Sequence, residues 1–470
     1  MYVSMQLDDI DTSCLDQFKK VLEKETGGQV KIGGVCSVKS AQQRVFILTI
    51  VRTKNEDPTG QASTRGKIFM DAIERGGKNL VLRIWKGAAR WWNLNSNAKE
   101  SCIDLATAEV TGYKVARQIF NVYYSQSPGM KGNSGPKINI PKLLYFENNA
   151  SDDTPLERKS NTSNPWAVFS YVKERSSIEL SEGRNLEFCN KFIKDMVKIR
   201  REFGFDELHP RHGRVGVENA LQYAKYVLDA AVLPMHFTCF TLQSKDVSGT
   251  VDMMKDIEID INILIAHSTS STGKAVAYSD MIRMFQDRIR NIRKSIRKES
   301  QSKLILLVGY LESFIQRLLT EEEIVQGFPL VPVLCHMDLQ PQNMVLCQTT
   351  EEPLLKIPMI TSILDWEESC YADARFEIML LCRKVLANRD QADVLWQHYS
   401  EQVKAYTGLT VGPIEPWLKL ESVHSLLTMC MQGMNLLQGG RNPWEEQSDL
   451  LGKIERELSR IKNDLGWEAF

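Results

Sequence analysis

The run Leu334-Cys335-His336-Met337-Asp338-Leu339-Gln340-Pro341-Gln342-Asn343 closes an apolar stretch with the spacing His-x-Asp-x-x-x-x-Asn. In phosphoryl transfer, that spacing supplies an Asp to accept the proton of an attacking hydroxyl and an Asn to hold a magnesium ion. Twenty-two residues beyond Asn343, the run Ile363-Leu364-Asp365-Trp366-Glu367 brings a second acid to the end of a strand. Asn343 offers a neutral oxygen and Asp365 an anionic one, a hard pair suited to Mg²⁺ rather than zinc. His336, two residues before Asp338, is placed to brace the loop through hydrogen bonds rather than to carry protons.

These residues need a scaffold, and the composition bounds it. At 470 residues the chain is too long for one ordinary core, so two or three packed units are expected. With 43% apolar and 25% charged residues it has the make-up of a soluble globular protein. A net charge near −1 gives no reason to expect a nucleic-acid partner. Met1 to Asp11 lacks the basic start and apolar core of a signal peptide, and no apolar run reaches the 18 residues of a membrane span. The ten cysteines are scattered without a C-x-x-C pair, which points to a reducing, cytoplasmic location.

Along the chain, Asp16–Lys24 reads as a short opening helix. Val30–Val38 reads as strand, turn and strand, with Gly33-Gly34 at the bend. Arg44–Arg52, Asn79–Trp85, Ile138–Phe146 and Trp166–Val172 read as strands, and Cys102–Phe120 as a helix with Ser101 as its N-cap. This describes a strand-rich N-terminal lobe, residues 1–172, carrying one prominent helix. From about residue 183 the period changes to that of helices. Leu186, Cys189, Ile193, Met196 and Val197 share a face, with Gly204 as the stop. Gly216–Leu233, Tyr278–Lys298 and the run from Leu304 to Leu318 continue the pattern. A short hairpin follows, drawn from Val331–Cys335, Met344–Cys347 and Ile360–Leu364, and residues 373–465 are mostly helical. Asp252–Ile265, inside an uncertain segment 235–273, suits either a helix or a β-branched strand.

The C-terminal half resembles the aminoglycoside phosphotransferase and choline kinase superfamily, relatives of the protein kinases that phosphorylate small molecules. The resemblance implies that Asp338 is the catalytic base and that Asn343 and Asp365 bind Mg²⁺. Trp366-Glu367 after the metal acid is typical, since that family often writes I-D-W-E there. Protein kinases place Phe-Gly at this point and usually a Lys two residues after the base, where this chain has Gln340; they also carry an Ala-Pro-Glu segment that is not found after Asp365. Tyr371-Ala372-Asp373 resembles the family's Gly-Asp-Pro stretch, with Glu377 where Asp is commoner.

In the N-terminal lobe the match is ordered correctly. Leu80-Val81-Leu82-Arg83 resembles the strand that carries the phosphate-binding cation, so Arg83 is the candidate, with Lys86 as runner-up. Three residues apart on a strand, the two face opposite sides and cannot share the task. Glu109 resembles the helix acid that pairs with that cation, ahead of Glu100 and Asp104. Gly33 and Gly34 fall where the family covers the phosphates, and bare backbone N–H groups approach phosphate closely. Tyr171 and Val172 occupy the hinge position, where backbone atoms would meet an adenine edge.

The resemblance therefore implies an α+β, bilobal, protein-kinase-like fold: a small antiparallel-sheet lobe, then a larger, mainly helical lobe over residues 173–470. It implies ATP and Mg²⁺ as cofactors and a small-molecule hydroxyl as acceptor. A kinase-like binding or scaffold protein without transfer activity is the reading from another class, and a protein kinase is a third. Among other residues, His209-Pro210-Arg211-His212 reads as a loop rather than a zinc site. Trp91-Trp92 reads as packing, and Arg288, Arg290, Arg293, Lys294, Arg297 and Lys298 as a solvated helix face.

Overall fold

The computed structural model describes residues 12–39, 43–53, 62–85, 102–126, 137–147, 164–172, 217–243, 251–267, 275–295, 302–328, 330, 332–339, 343–347, 359–385, 389–437 and 458–459. Five antiparallel strands, β1 (Val30–Lys39), β2 (Gln43–Arg52), β3 (Asn79–Trp85), β4 (Leu143–Glu147) and β5 (Trp166–Ser170), form one sheet in the order β1-β2-β3-β5-β4. Three helices flank them: α1 (Thr12–Thr26), α2 (Thr64–Arg75) and α3 (Cys102–Gln126).

Period-two alternation divides the sheet between two cores. On β3, Leu80, Leu82 and Ile84 enter an outer core with Phe18 of α1 and Phe69 of α2. The intervening Val81 and Trp85 pack instead with α3 and the helical lobe. On β5, Trp166 and Val168 face the outer core, while Ala167 and Phe169 face the inner one. Arg83 is therefore on the α3 side of β3, as its place between Leu82 and Ile84 requires.

Helix α2 is a correction, because the strand-rich reading assigns this lobe only one prominent helix beyond the opening one. Its signals are a Ser63 cap, whose hydroxyl accepts from the Gly66 N–H at 2.9 Å, and the spacing of Phe69, Ala72 and Ile73. Gly66 also permits a close approach to α1. A Cβ there would stand 1.9 Å from the Glu25 carbonyl oxygen.

A second correction concerns Gly33 and Gly34. They lie inside the continuous strand β1 rather than at a bend. Ile32 pairs with Ile50 and Gly34 with Thr49, so Gly33 is the extra residue of a β-bulge. A Cβ on Gly33 would fall 2.6 Å from a Val51 methyl. The connection between β1 and β2 is residues 40–42, outside the described residues.

The remainder is mainly helical: α4 (Val217–Val227), a π-helical turn (Leu228–Val232), α5 (Leu233–Gln243), α6 (Val251–His267), α7 (Tyr278–Ser295), α8 (Ser302–Gln326), α9 (Ala374–Val385), α10 (Arg389–Thr407) and α11 (Glu415–Leu437). The ambiguous stretch Asp252–Ile265 is thus helical; Ile257, Ile261 and Leu264 bury one face of α6. Two short ladders complete the lobe. β7 (Met344–Cys347) pairs with β8 (Met359–Ile363), as the hairpin reading requires. β6 (Pro332–Cys335) pairs instead with β9 (Cys370–Asp373), a strand the sequence reading did not assign. Arg288 departs from the solvated-face reading: it is buried in α7, while Arg290, Arg293 and Lys294 are exposed. Burial lowers the Arg288 guanidinium to about 10, with the Glu368 carboxylate opposing.

The structure has the α+β organisation expected, a five-stranded antiparallel sheet lobe beside a mainly helical lobe. Several sequence readings lie outside the described residues: the Leu186–Val197 helix and its Gly204 stop, Lys86, Trp91-Trp92, Glu100, Ser101, the 209–212 loop, Arg297 and Lys298.

Candidate active site

The cation and its acid come first in the chain. Arg83 projects from β3 towards α3 and is 8% exposed. Its Nη1 stands 2.5 Å from Glu109 Oε1, and Glu109 is fully buried. Glu109 Oε2 accepts a hydrogen bond from the Trp85 indole N–H at 2.7 Å. The strand, two residues beyond Arg83, thus helps aim the acid that aims Arg83. Burial by itself lowers the guanidinium pKa, but Glu109 and Asp365 more than offset it and hold the charge firmly.

The second cluster is the loop after β6. Asn343 donates from Nδ2 to the Asp338 carboxylate at 2.7 Å and to the Asp338 carbonyl at 2.9 Å. This commits the amide nitrogen and leaves the amide oxygen as the atom able to ligate. The Asp338 N–H donates to His336 Nδ1 at 3.1 Å, and His336 Nε2 lies 2.8 Å from the Leu364 carbonyl oxygen. The imidazole that satisfies both is neutral, with its proton on Nε2. With both ring nitrogens engaged and the ring packed edge-on to Trp366, His336 is a brace.

Leu364 joins the clusters. Its N–H donates to the Asn343 carbonyl at 2.8 Å, and its own carbonyl meets His336. The next residue, Asp365, turns into the left-handed region at φ 65° and ψ 63° and opens a single 3₁₀ turn, Trp366–Glu368. That turn carries the Asp365 carboxylate back to the sheet lobe, where Oδ1 stands 2.5 Å from Arg83 Nη2. Glu367 approaches the same nitrogen at 3.8 Å. Burial raises the Glu367 carboxyl, the neighbouring Asp365 and Glu109 charges add to this, and Arg83 opposes it.

Of the residues singled out in the sequence, Arg83, Glu109, Asp365, Asp338, Asn343 and His336 form one connected polar network. Tyr171 and Val172 lie half-buried at the exit of β5, and Gly33 and Gly34 lie in β1. Two contributors, Tyr113 and Gly112, escaped sequence reasoning, and a third, Glu377, entered it only through the resemblance. Tyr113 follows Glu109 by one helical turn, a spacing that places both on one face, and its hydroxyl accepts the Asp365 N–H at 2.9 Å. Gly112 lets α3 pack on the 3₁₀ turn; a Cβ there would stand 2.2 Å from Ser369 Oγ. Glu377 of α9 is fully buried and accepts the His336 and Met337 N–H groups on one oxygen, the second at 3.1 Å. No local signal links Glu377 to a loop some forty residues earlier.

The donor chemistry fits a hard cation. Asn343 and Asp365 present oxygens only, the Arg83 contact falls on one oxygen of Asp365, and the Asp365 side chain remains one-third exposed. Among the described residues, no group of three or more His, Cys, Asp and Glu side chains is suited to a metal ion. Cys14, Cys36, Cys102, Cys239, Cys335, Cys370, Cys382 and Cys430 are free thiols.

No family model and no curated protein matches the sequence. Similar solved structures include a wild-type aminoglycoside 2'-phosphotransferase-IIIa in its GDP complex, with 13% identity and a TM-score of 0.42 over 94% of this chain and 98% of that one. An ethanolamine kinase from Plasmodium vivax is similar at 10% identity and TM-score 0.45, over 99% and 93% of the two chains. A macrolide 2'-phosphotransferase type I is similar at 13% identity and TM-score 0.40, over 96% and 98%. All three bear kinase or phosphotransferase names.

Proposed function

We propose that the protein is a small-molecule kinase, which moves the γ-phosphoryl group of ATP to a hydroxyl with Mg²⁺ at Asn343 and Asp365. The observation that supports this most is the Leu364 junction: one residue's backbone ties the loop of Asp338 and Asn343 to the acid that reaches Arg83. Phosphoryl transfer asks a protein for positioning and charge neutralisation rather than covalent chemistry, and a fixed network of this kind supplies both.

In this reading Asp338 accepts a hydrogen bond from the incoming hydroxyl and takes its proton as the oxygen attacks. Asn343 holds that carboxylate in place through its amide nitrogen and ligates through its oxygen. Bound magnesium would neutralise charge on the phosphate oxygens. Arg83, kept charged and aimed by Glu109, meets the same oxygens from the sheet side. Tyr171 and Val172 offer backbone groups to the base, and Gly33 and Gly34 border the nucleotide from β1. His336 orients the loop. The free thiols suit work in the cytoplasm, and no helix among the described residues is long and apolar enough to cross a membrane.

The test is a screen of hydroxyl-bearing metabolites, including amino alcohols, sugars and aminoglycosides, for ADP release with Mg·ATP. Release that depends on one acceptor class supports the assignment. Saturable nucleotide binding without release for any acceptor refutes it and identifies a kinase-like binding protein.

A further inference from the structure

We infer that Tyr113 is a positioning residue for the metal-binding acid, acting through the backbone of Asp365 rather than through its side chain. The inference rests on the proposed kinase reading and adds to it a residue outside the signature motifs.

Three observations carry it. Asp365 is one of three non-glycine residues with positive φ among the described residues, at 65°. That conformation is uncommon for residues with a side chain, although Asp tolerates it better than most, so a partner for its N–H helps to hold it. The Asp365 N–H then points at the Tyr113 hydroxyl, which accepts at 2.9 Å. Finally, Arg83 Nη1 lies 3.4 Å from the same oxygen, so one hydroxyl touches both the cation and the acid.

Tyr113 is well fixed for the task. It is 4% exposed, its ring centroid lies 4.7 Å from that of Phe169 on β5, and it lies 6.4 Å from the Trp366 ring. One residue earlier, Gly112 sits against Ser369 and the Trp366 carbonyl, with no room for a Cβ. Helix α3, which carries Glu109, is therefore seated on the turn that follows Asp365. Without the hydroxyl, the Asp365 N–H would lose its partner, and other backbone conformations would compete with the one that faces its carboxylate into the site.

The variant is Tyr113→Phe, which deletes one oxygen and keeps the ring contacts. Mn²⁺ serves as the probe, read by electron paramagnetic resonance with ADP, beside metal-free ADP binding by calorimetry and a thermal melt without ligand. We expect Mn²⁺ affinity in the ADP complex to fall about tenfold, as is usual for residues that orient metal ligands. Metal-free ADP affinity should stay within about twofold, with a cooperative melt retained. Unchanged Mn²⁺ affinity overturns the inference, as does an equal loss of metal-free ADP binding, which would mark a general packing role. If the wild-type protein binds ADP but shows no ADP-dependent Mn²⁺ site, the kinase reading fails first, and this inference falls with it.

Discussion

Glu377 offers a prediction with a definite sign. It is fully buried in α9, accepts two backbone N–H groups from the loop of Asp338, and its other oxygen has no hydrogen-bond partner among the described residues. Burial pushes its carboxyl up from 4.5 to about 7, outweighing the two N–H donors that favour the anion. A carboxyl raised on folding holds its proton more tightly in the native state. Its contribution is fully present below pH 4.5 and is lost as the pH rises through about 7. At about 1.4 kcal/mol per pH unit, the displacement corresponds to about 3 kcal/mol. At about 2.1 cal/mol/K per residue, that is about 3 °C in Tm for 470 residues melting together. Glu377→Gln keeps an oxygen for both N–H groups and removes the titration. It adds only a pH-independent cost from its buried amide. Melting both proteins from pH 4.5 to 8.5 should therefore show the wild type losing about 3 °C relative to the variant as the pH rises. A difference in Tm that stays constant over that range refutes the reasoning, because Glu377 would then bind its proton equally in the folded and unfolded states.

Other consequences follow from the same contacts. Arg83→Met strips the cation from the fully buried Glu109; chemical denaturation should report a loss of about 3–5 kcal/mol, and a loss under about 1 kcal/mol would mean that Glu109 is not an ion in the fold. Gly112→Ala drives a methyl group into Ser369 Oγ and should cost about 1–3 kcal/mol in the same assay. Adding Ser369→Ala removes the clashing oxygen and should recover part of that cost; no recovery would place the strain at the Trp366 carbonyl instead.

The sequence disclosed what depends on local pattern. Alternating side chains delimit β3 as Asn79–Trp85, the same bounds the structure gives, and place Arg83 opposite Leu82 and Ile84. The spacing from His336 to Asn343 marks the loop in which Asp338 and Asn343 bond to each other. It could not disclose what depends on contacts between distant segments. Arg83 meets Asp365 across 282 residues, and β6 pairs with β9 rather than with a strand nearer in sequence. Gly33-Gly34 resembles a turn in any local reading, because a bulge needs the same glycine that a turn does; only the register against β2 distinguishes them. Helix α2 is charged enough to resemble a loop unless its Ser63 cap is noticed. Arg288 shows the converse, since a basic helix face looks solvated until Glu368 is brought against it.

The most direct measurement compares the wild type with Asp338→Asn in one transfer assay, following both phosphorylated acceptor and ADP at saturating Mg·ATP. Asparagine keeps the size of the side chain and a carbonyl oxygen beside Asn343 but cannot take a proton. The account predicts that phosphorylation falls about 10²–10⁴-fold while ATP still binds. Equal turnover by the two proteins, or no acceptor phosphorylated by the wild type, contradicts it.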